Sequence, residues 1–296
     1  MRAAIEKHLA LERVDTAVPF NTHEIVTSPG YARLLIRYKA ADGDEIPAFL
    51  WLPAGDGPFP AVLVHHQHHS QRFLGKSEVA GIAGDPLLAW GPALAQRGFI
   101  VLAPDSICFE ERRRFGVGIE IHERDDIQHY IEMGERLTQG DTLMRKVLAD
   151  ASSGLSLLAH HPQVESTNIG VLGHSYGGNS VLFQAALDER VAYSVASGAL
   201  CSYAYKREHD IPLELALIIP GFAARWDMHD LLDCIAPRPI LIVSSTADIY
   251  TMDAEEVIAR AQSSAHVSHF RETGEHALSK VRYQKIIDFV EAQGSK

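Results

Sequence analysis

The sequence of 296 residues is long enough for a large buried core, and with 46% apolar and 22% charged residues it has the make-up of a soluble globular protein. Its net charge of −11 excludes nucleic acid and anionic membrane surfaces as expected partners, because both call for basic patches. No run approaches the ~18 apolar residues of a membrane helix, and Cys108, Cys201 and Cys234 match no zinc or disulfide spacing. The first ten residues are amphipathic and lack the apolar core of a signal peptide, so the expected location is the cytoplasm.

In chain order, residues 1–20 read as a short helix and a loop ending near Pro19. Residues 31–40 alternate as a strand, Ala41-Asp42-Gly43-Asp44 signals a turn, and 45–53 is a second strand, a hairpin at a sheet edge. Ala61-Val62-Leu63-Val64-His65 is a continuous apolar run, the mark of a parallel strand buried on both faces. Residues 86–97 have helical spacing and stop at Gly98, and 99–105 is the next buried strand, which completes a βαβ unit. From 106 to 140 charge dominates; the segment is an excursion over the sheet edge or part of a lid. Arg112-Arg113-Arg114, preceded by Glu110 and Glu111, reads as a solvated, self-paired surface run. Asp141 is placed to cap a long helix that ends near His160.

Asn168 to Gly178 then reads as buried strand, sharp turn and helix start. Its Gly173-His174-Ser175-Tyr176-Gly177 fits G-x-S-x-G, in which small residues two before and two after the serine let strand and helix cross. The turn lifts the serine Oγ above the sheet, beside a helix N-terminus that stabilises negative charge. Beyond it come a strand at 191–200, a mixed stretch at 201–232, a buried strand at 239–243, a helix at 254–262, a short strand at 266–270 and a closing helix at 277–292. This alternation predicts an α/β fold with one mostly parallel, doubly wound sheet, helices on both faces and an antiparallel N-terminal edge. One domain is expected over 1–296, with 1–30 as a helical extension and 106–140 and 201–232 as lid or pocket-wall insertions.

A hydroxyl is a poor nucleophile near neutral pH and needs a base, and the base needs an orienting carboxylate. Asp248 follows the strand at 239–243, at the end where open α/β sheets hold their sites. Asp253, which reads as a helix N-cap, and Asp233, which precedes the strand, are weaker candidates. His276 sits in the loop before the last helix, whereas His266 and His269 belong to the strand before it. Ser175, Asp248 and His276 thus fall in a known triad order. Backbone N–H groups of Tyr176 and Gln67 are the expected oxyanion donors. Four histidines crowd His65, His66, His68 and His69; they wall the pocket or position substrate, or bind a metal, and the tight spacing without cysteine favours the pocket. His66, His68, His69 and Trp226 are taken as candidate substrate contacts, and His174 as packing.

With these residues placed, the chain resembles the α/β-hydrolase superfamily, and within it the branch of dienelactone hydrolases and acetyl xylan esterase-like carboxylesterases. The likeness runs through 60–69, 103–112, 164–178 and Ala236-Pro237-Arg238-Pro239 leading to Asp248, and covers most of 30–292. At the oxyanion loop His66 stands where a glycine is common. The resemblance implies a serine hydrolase with triad Ser175, Asp248 and His276, an acyl-enzyme intermediate, a small-molecule ester as substrate, and neither cofactor nor metal. Family members with a cysteine nucleophile exist, so serine here favours ester hydrolysis over the dienelactone reaction. An amidase or peptidase of the same fold, and a non-catalytic binding protein, stand as alternatives. The oligomeric state is left open, a homo-oligomer included.

Overall fold

The computed structural model describes residues 1–68 and 70–295. Its elements are α1 (Arg2–His8), β1 (Phe20–Ser28), β2 (Tyr31–Lys39), β3 (Glu45–Pro53), β4 (Phe59–His65), α2 (Lys76–Val79), α3 (Trp90–Ala95), β5 (Ile100–Pro104), α4 (Asp125–Thr138), α5 (Leu143–Ala159), β6 (Val164–His174), α6 (Tyr176–Leu187), β7 (Tyr193–Ser197), α7 (Tyr203–Glu208), α8 (Met228–Ile235), β8 (Ile240–Ser245), α9 (Ala254–Arg260), β9 (Val267–Glu272) and α10 (Lys280–Gly294). Among the described residues nine strands form one sheet in the order β1-β2-β3-β5-β4-β6-β7-β8-β9. β1, β2 and β3 pair antiparallel, β3 meets β5 antiparallel, and every pairing from β5 onward is parallel. This is the α/β-hydrolase architecture expected from the sequence. Among the described residues no helix is long and apolar enough to cross a membrane.

The apolar strand runs divide by alternation, as pleating requires. Ala61, Leu63, Ile100, Leu102, Ile169, Val171, Ile240 and Ile242 enter one core with α1, α5, α6 and α8. Val62, Val64, Val101, Ala103, Leu172, Leu241 and Val243 enter a second core with α3 and α10, built on Trp90, Leu94, Ile286, Ile287 and Val290. The sheet is therefore covered on both faces.

Several expectations need correction. The hairpin is a three-stranded meander, because β1 adds an outer strand. Its residues are largely exposed, so β2 fixes it by pairing rather than by a buried face. The helix expected over 86–97 is split into a 3-10 turn at Pro86–Leu88, capped by Asp85, and α3. Thr142, not Asp141, caps α5: its side chain accepts from the Arg145 N–H, while Asp141 pairs with Arg136. Asp253 does hold the N-cap position of α9, but its carboxylate makes no capping bond and accepts from the Ser202 N–H and Oγ–H instead.

Residues 106–140 hold a helix that the apolar pattern hides. The buried face of α4 is polar, made of Asp125, Gln128, His129 and Glu132. The arginine run is not self-paired but meets this face, with Arg113 buried and Arg114 at the surface. Arg113 pairs with Asp125 at 2.6 Å, Arg114 with Glu132 at 2.7 Å, and the Arg114 N–H donates to Gln128. Arg112 pairs with Asp150 of α5 at 2.8 Å. Glu110 and Glu111 turn the other way, to Lys76.

Candidate active site

The C-terminal ends of β4, β6, β8 and β9 lie side by side on one sheet edge, and each delivers one part of the site. Ser175 stands between β6 and α6 with φ 56° and ψ −116°. A side chain rarely tolerates this conformation, and the surroundings hold it there. A Cβ on Gly173 would meet the Gly177 carbonyl carbon at 2.3 Å, and one on Gly177 would meet the His65 oxygen at 2.2 Å. The Ser175 N–H donates to the Ser197 oxygen of β7 at 2.8 Å. The strained turn is thus locked between two neighbouring strands.

The structure brings the three expected residues together. His276 Nε2 lies 2.8 Å from Ser175 Oγ, and His276 Nδ1 lies 3.0 Å from Asp248 Oδ2. Asp248 is buried in the loop after β8, and its Oδ1 accepts from the Tyr250 N–H at 3.0 Å. Burial pushes the Asp248 carboxyl up, but the His276 hydrogen bond and charge and the Tyr250 N–H outweigh it and hold it below the usual carboxylate range. Tyr250 meets the His276 ring edge-on at 5.2 Å, and the His174 ring lies 5.0 Å away on a hydrogen bond to Ser197. The competing candidates are spent elsewhere. Asp233 accepts from Gln262 and Ser263, His266 bonds the Leu232 carbonyl, and His269 bonds Ser244.

Sequence reading missed Arg282. It stands in the first turn of α10, a position the helix dipole disfavours for a cation. The guanidinium is buried, pairs with Glu272, and donates to the carbonyls of Glu275 and Ala277, the two residues that flank His276. Ser245 Oγ donates to the same Glu275 carbonyl at 2.7 Å. The only sequence signal is Ser279-x-x-Arg282, a capping serine with a cation where a capping box has Glu. Arg282→Lys keeps the charge but has one nitrogen where the guanidinium uses three: Nε on Glu272, Nη1 on Ser245 and Nη2 on both carbonyls. We expect kcat to fall about tenfold to a hundredfold with KM little changed, because the base loses its alignment. Steady-state kinetics beside a thermal melt read the effect.

The loop after β4, which carries Gln67, is pressed against the elbow, as the Gly177 contact to His65 shows. Tyr176 is the first residue of α6, so its N–H has no intrahelical partner. Among the described residues, His65, His66 and His68 do not converge on a shared metal centre. His65 Nε2–H donates to Gln184 at 2.6 Å. His66 Nδ1–H donates to the Gln67 carbonyl, and its Nε2 accepts from the Ser106 N–H at 3.0 Å. Burial drives both rings down to about 4, so both stay neutral. His66 thus braces the loop with both ring nitrogens engaged. His68 lies against the Tyr176 and Phe109 rings, and His69 falls outside the described residues. Trp226 is not at the site; it packs on Phe222 and on His8 of α1, where the start of α8 carries it. Among the described residues, the oxygens of Asp105, Glu110 and Glu111 are the ones close enough to share a cation, and the Lys76 ammonium already holds that place at 2.6–2.8 Å.

The side chain of Gln67 donates to Glu78 at 3.1 Å. Burial pushes the Glu78 carboxyl up to about 7, against the opposing Gln67 bond. The unfolded chain releases this proton near the ordinary glutamate value while the folded one keeps it. Stability therefore falls as pH rises from about 4.5 to about 7, by up to about 3 kcal/mol. Glu78→Gln removes this loss, so its melting temperature relative to wild type rises between pH 5 and pH 8, as paired thermal melts check.

Comparison with known proteins places this geometry. The model of the dienelactone hydrolase family matches residues 46–221. YtaP of Bacillus subtilis (strain 168), itself assigned as a hydrolase only provisionally, is 28% identical over 220 residues, covering 70% of this chain and 67% of YtaP. A Bacteroides fragilis structure provisionally assigned as an acetyl xylan esterase superposes with TM-score 0.74 at 18% identity, over 92% of this chain and 73% of that one. Acetyl xylan esterase 1 from Thermoanaerobacterium sp. JW/SL YS485 gives TM-score 0.64 at 18% identity, over 97% and 92%. At such identity these structures share the fold, whereas the family match spans more than half the sequence: the chain belongs to the dienelactone hydrolase family.

Proposed function

We propose that this protein is a serine-dependent carboxylic ester hydrolase working through an acyl-enzyme. The observation that carries the reading is the run Ser175 Oγ, His276, Asp248 with spacings of 2.8 and 3.0 Å on a strained elbow. Ser175 Oγ attacks the ester carbonyl as its proton passes to His276 Nε2. Asp248 holds the imidazole orientation and stabilises its charge. The oxyanion is met by the N–H groups of Tyr176 and Gln67. The C–O bond breaks, and His276 returns the proton to the departing alcohol. Water, deprotonated by His276, then releases the acid and restores Ser175. The esterase names of the structural neighbours agree with this chemistry. We further read 1–296 as one catalytic unit in which 106–140 and 201–232 wall the pocket, and the three buried free cysteines as fitting a reducing cytoplasm.

A fluorophosphonate probe tests the reading. Intact-protein mass spectrometry and peptide mapping should find one adduct, on Ser175, together with turnover of p-nitrophenyl esters between acetate and octanoate. Absence of labelling and of turnover would return the fold to a non-catalytic role.

A further inference from the structure

Beside the nucleophile lies a group of polar side chains that the triad chemistry does not use. Arg72 is 5% exposed, and its guanidinium lies 4.9 Å over the Phe109 ring. Its Nε and Nη1 have no hydrogen-bond partner among the described residues. His129, on the buried face of α4, meets Phe109 edge-on at 5.5 Å and lies 6.3 Å from Tyr176; neither of its ring nitrogens has a partner among the described residues. Glu214 Oε1 is buried and likewise without a partner, while Oε2 accepts from the Ala216 N–H. Phe109 and Tyr176 stack at 5.3 Å in the middle, and Tyr176 is bonded to Ser175 in the chain.

A buried polar group without a partner is costly, and Arg72 and His129 against one aromatic pair, with Glu214 beside a turn packed on α4 and acting electrostatically on Arg72 and Tyr176, are not packing accidents. We propose that Arg72, His129 and Glu214 form a subsite that recognises hydroxyl groups on the ester. The inference rests on the esterase reading above and deepens it. The donor set decides the ligand. Arg72 only donates, an ionised Glu214 only accepts, and a neutral His129 does one of each. A hydroxyl does both and carries no charge. An anionic ligand would pair with Arg72 and leave Glu214 facing a like charge; an apolar one would leave all three unpaired. Arg72 and Glu214 sense each other across the group: burial lowers the Arg72 pKa and Glu214 opposes it, while burial raises the Glu214 carboxyl to about 7 and Arg72 opposes that.

The test compares kcat/KM for glycerol monoacetate with propyl acetate, and for methyl 3-hydroxybutanoate with methyl butanoate. In Arg72→Met the ratio of hydroxylated to plain ester should fall about tenfold or more in at least one pair, chiefly through KM, with partial recovery in Arg72→Lys. Glu214→Gln reads the same ratio from the other side of the subsite and should lower it, so the test stands even where Arg72→Met fails to fold. Ratios unmoved in both pairs, with Ser175 still labelled by fluorophosphonate, overturn the subsite and leave the esterase reading intact. A fall seen only for monomethyl succinate against methyl butanoate means an anion is bound and overturns the hydroxyl assignment. A wild type that neither labels nor turns over any ester overturns both.

Discussion

Ser175→Ala should cost at least about 10⁴-fold in kcat and leave the protein folded. The nucleophile is lost, so no acyl-enzyme forms and fluorophosphonate labelling disappears. What remains is the catalysis that binding and the oxyanion donors give alone. The fold should hardly notice. Alanine keeps a Cβ, and the constraints that impose φ 56° are glycine contacts and a backbone bond to Ser197, none of which involves Oγ. Ser175→Gly separates the two roles further. It is equally inactive, but it adopts this conformation without strain, so it should melt above Ser175→Ala. Kinetics and calorimetry on the pair measure how much strain the nucleophile position carries. Turnover surviving in either variant would remove Ser175 from the mechanism.

Lys76→Met should be the most damaging substitution for stability, at about 3–5 kcal/mol. Lys76 is 1% exposed and its ammonium lies 2.8 Å from Asp105 and 2.6 Å from both Glu110 and Glu111. The same two buried carboxylates satisfy the first turn of α2. Asp105 accepts from the Lys76 N–H at 2.8 Å, and Glu110 from the N–H groups of Gly75 and Ser77 at 2.9 Å. Burial and the nearby Glu110 already push the Asp105 carboxyl up to about 7, with Lys76 opposing them. Without the cation, two buried carboxylates repel each other. Urea denaturation should show the loss, and activity should fall with it, because α2 anchors the loop that carries Gln67. The triple variant Lys76→Met, Asp105→Asn, Glu110→Gln should regain at least half, since an uncharged cluster leaves no unpaired ion. A single variant as stable as wild type would mean the network contributes nothing.

What was legible in the sequence follows from where the signal lies. Buried parallel strands such as β4 and β8 are continuous apolar runs, and the elbow is local in the chain. Asp248 and His276 are remote from Ser175, yet the fold's strand order gives them fixed places, so chain order located them. Pairings between distant polar residues have no such pattern. The inner face of α4 is charged because Arg113 and Arg114 meet it, and neither half of that match is visible alone. The same holds for Arg282 under the His276 loop and for Arg72 over Phe109. Trp226 misled because an aromatic residue in a pocket-wall segment reads the same whether it faces substrate or, as here, the N-terminal helix.

The Arg282 clamp also sets an order of events during synthesis. The base of the triad is held by α10, beyond β9 and every other strand of the sheet. The strands, the Ser175 elbow and Asp248 all precede that segment in the chain. On the proposed mechanism the base is aligned last, once Lys280–Gly294 has docked. The same docking lays Ile286, Ile287 and Val290 on the sheet, so closing the second core and aligning the base are one event.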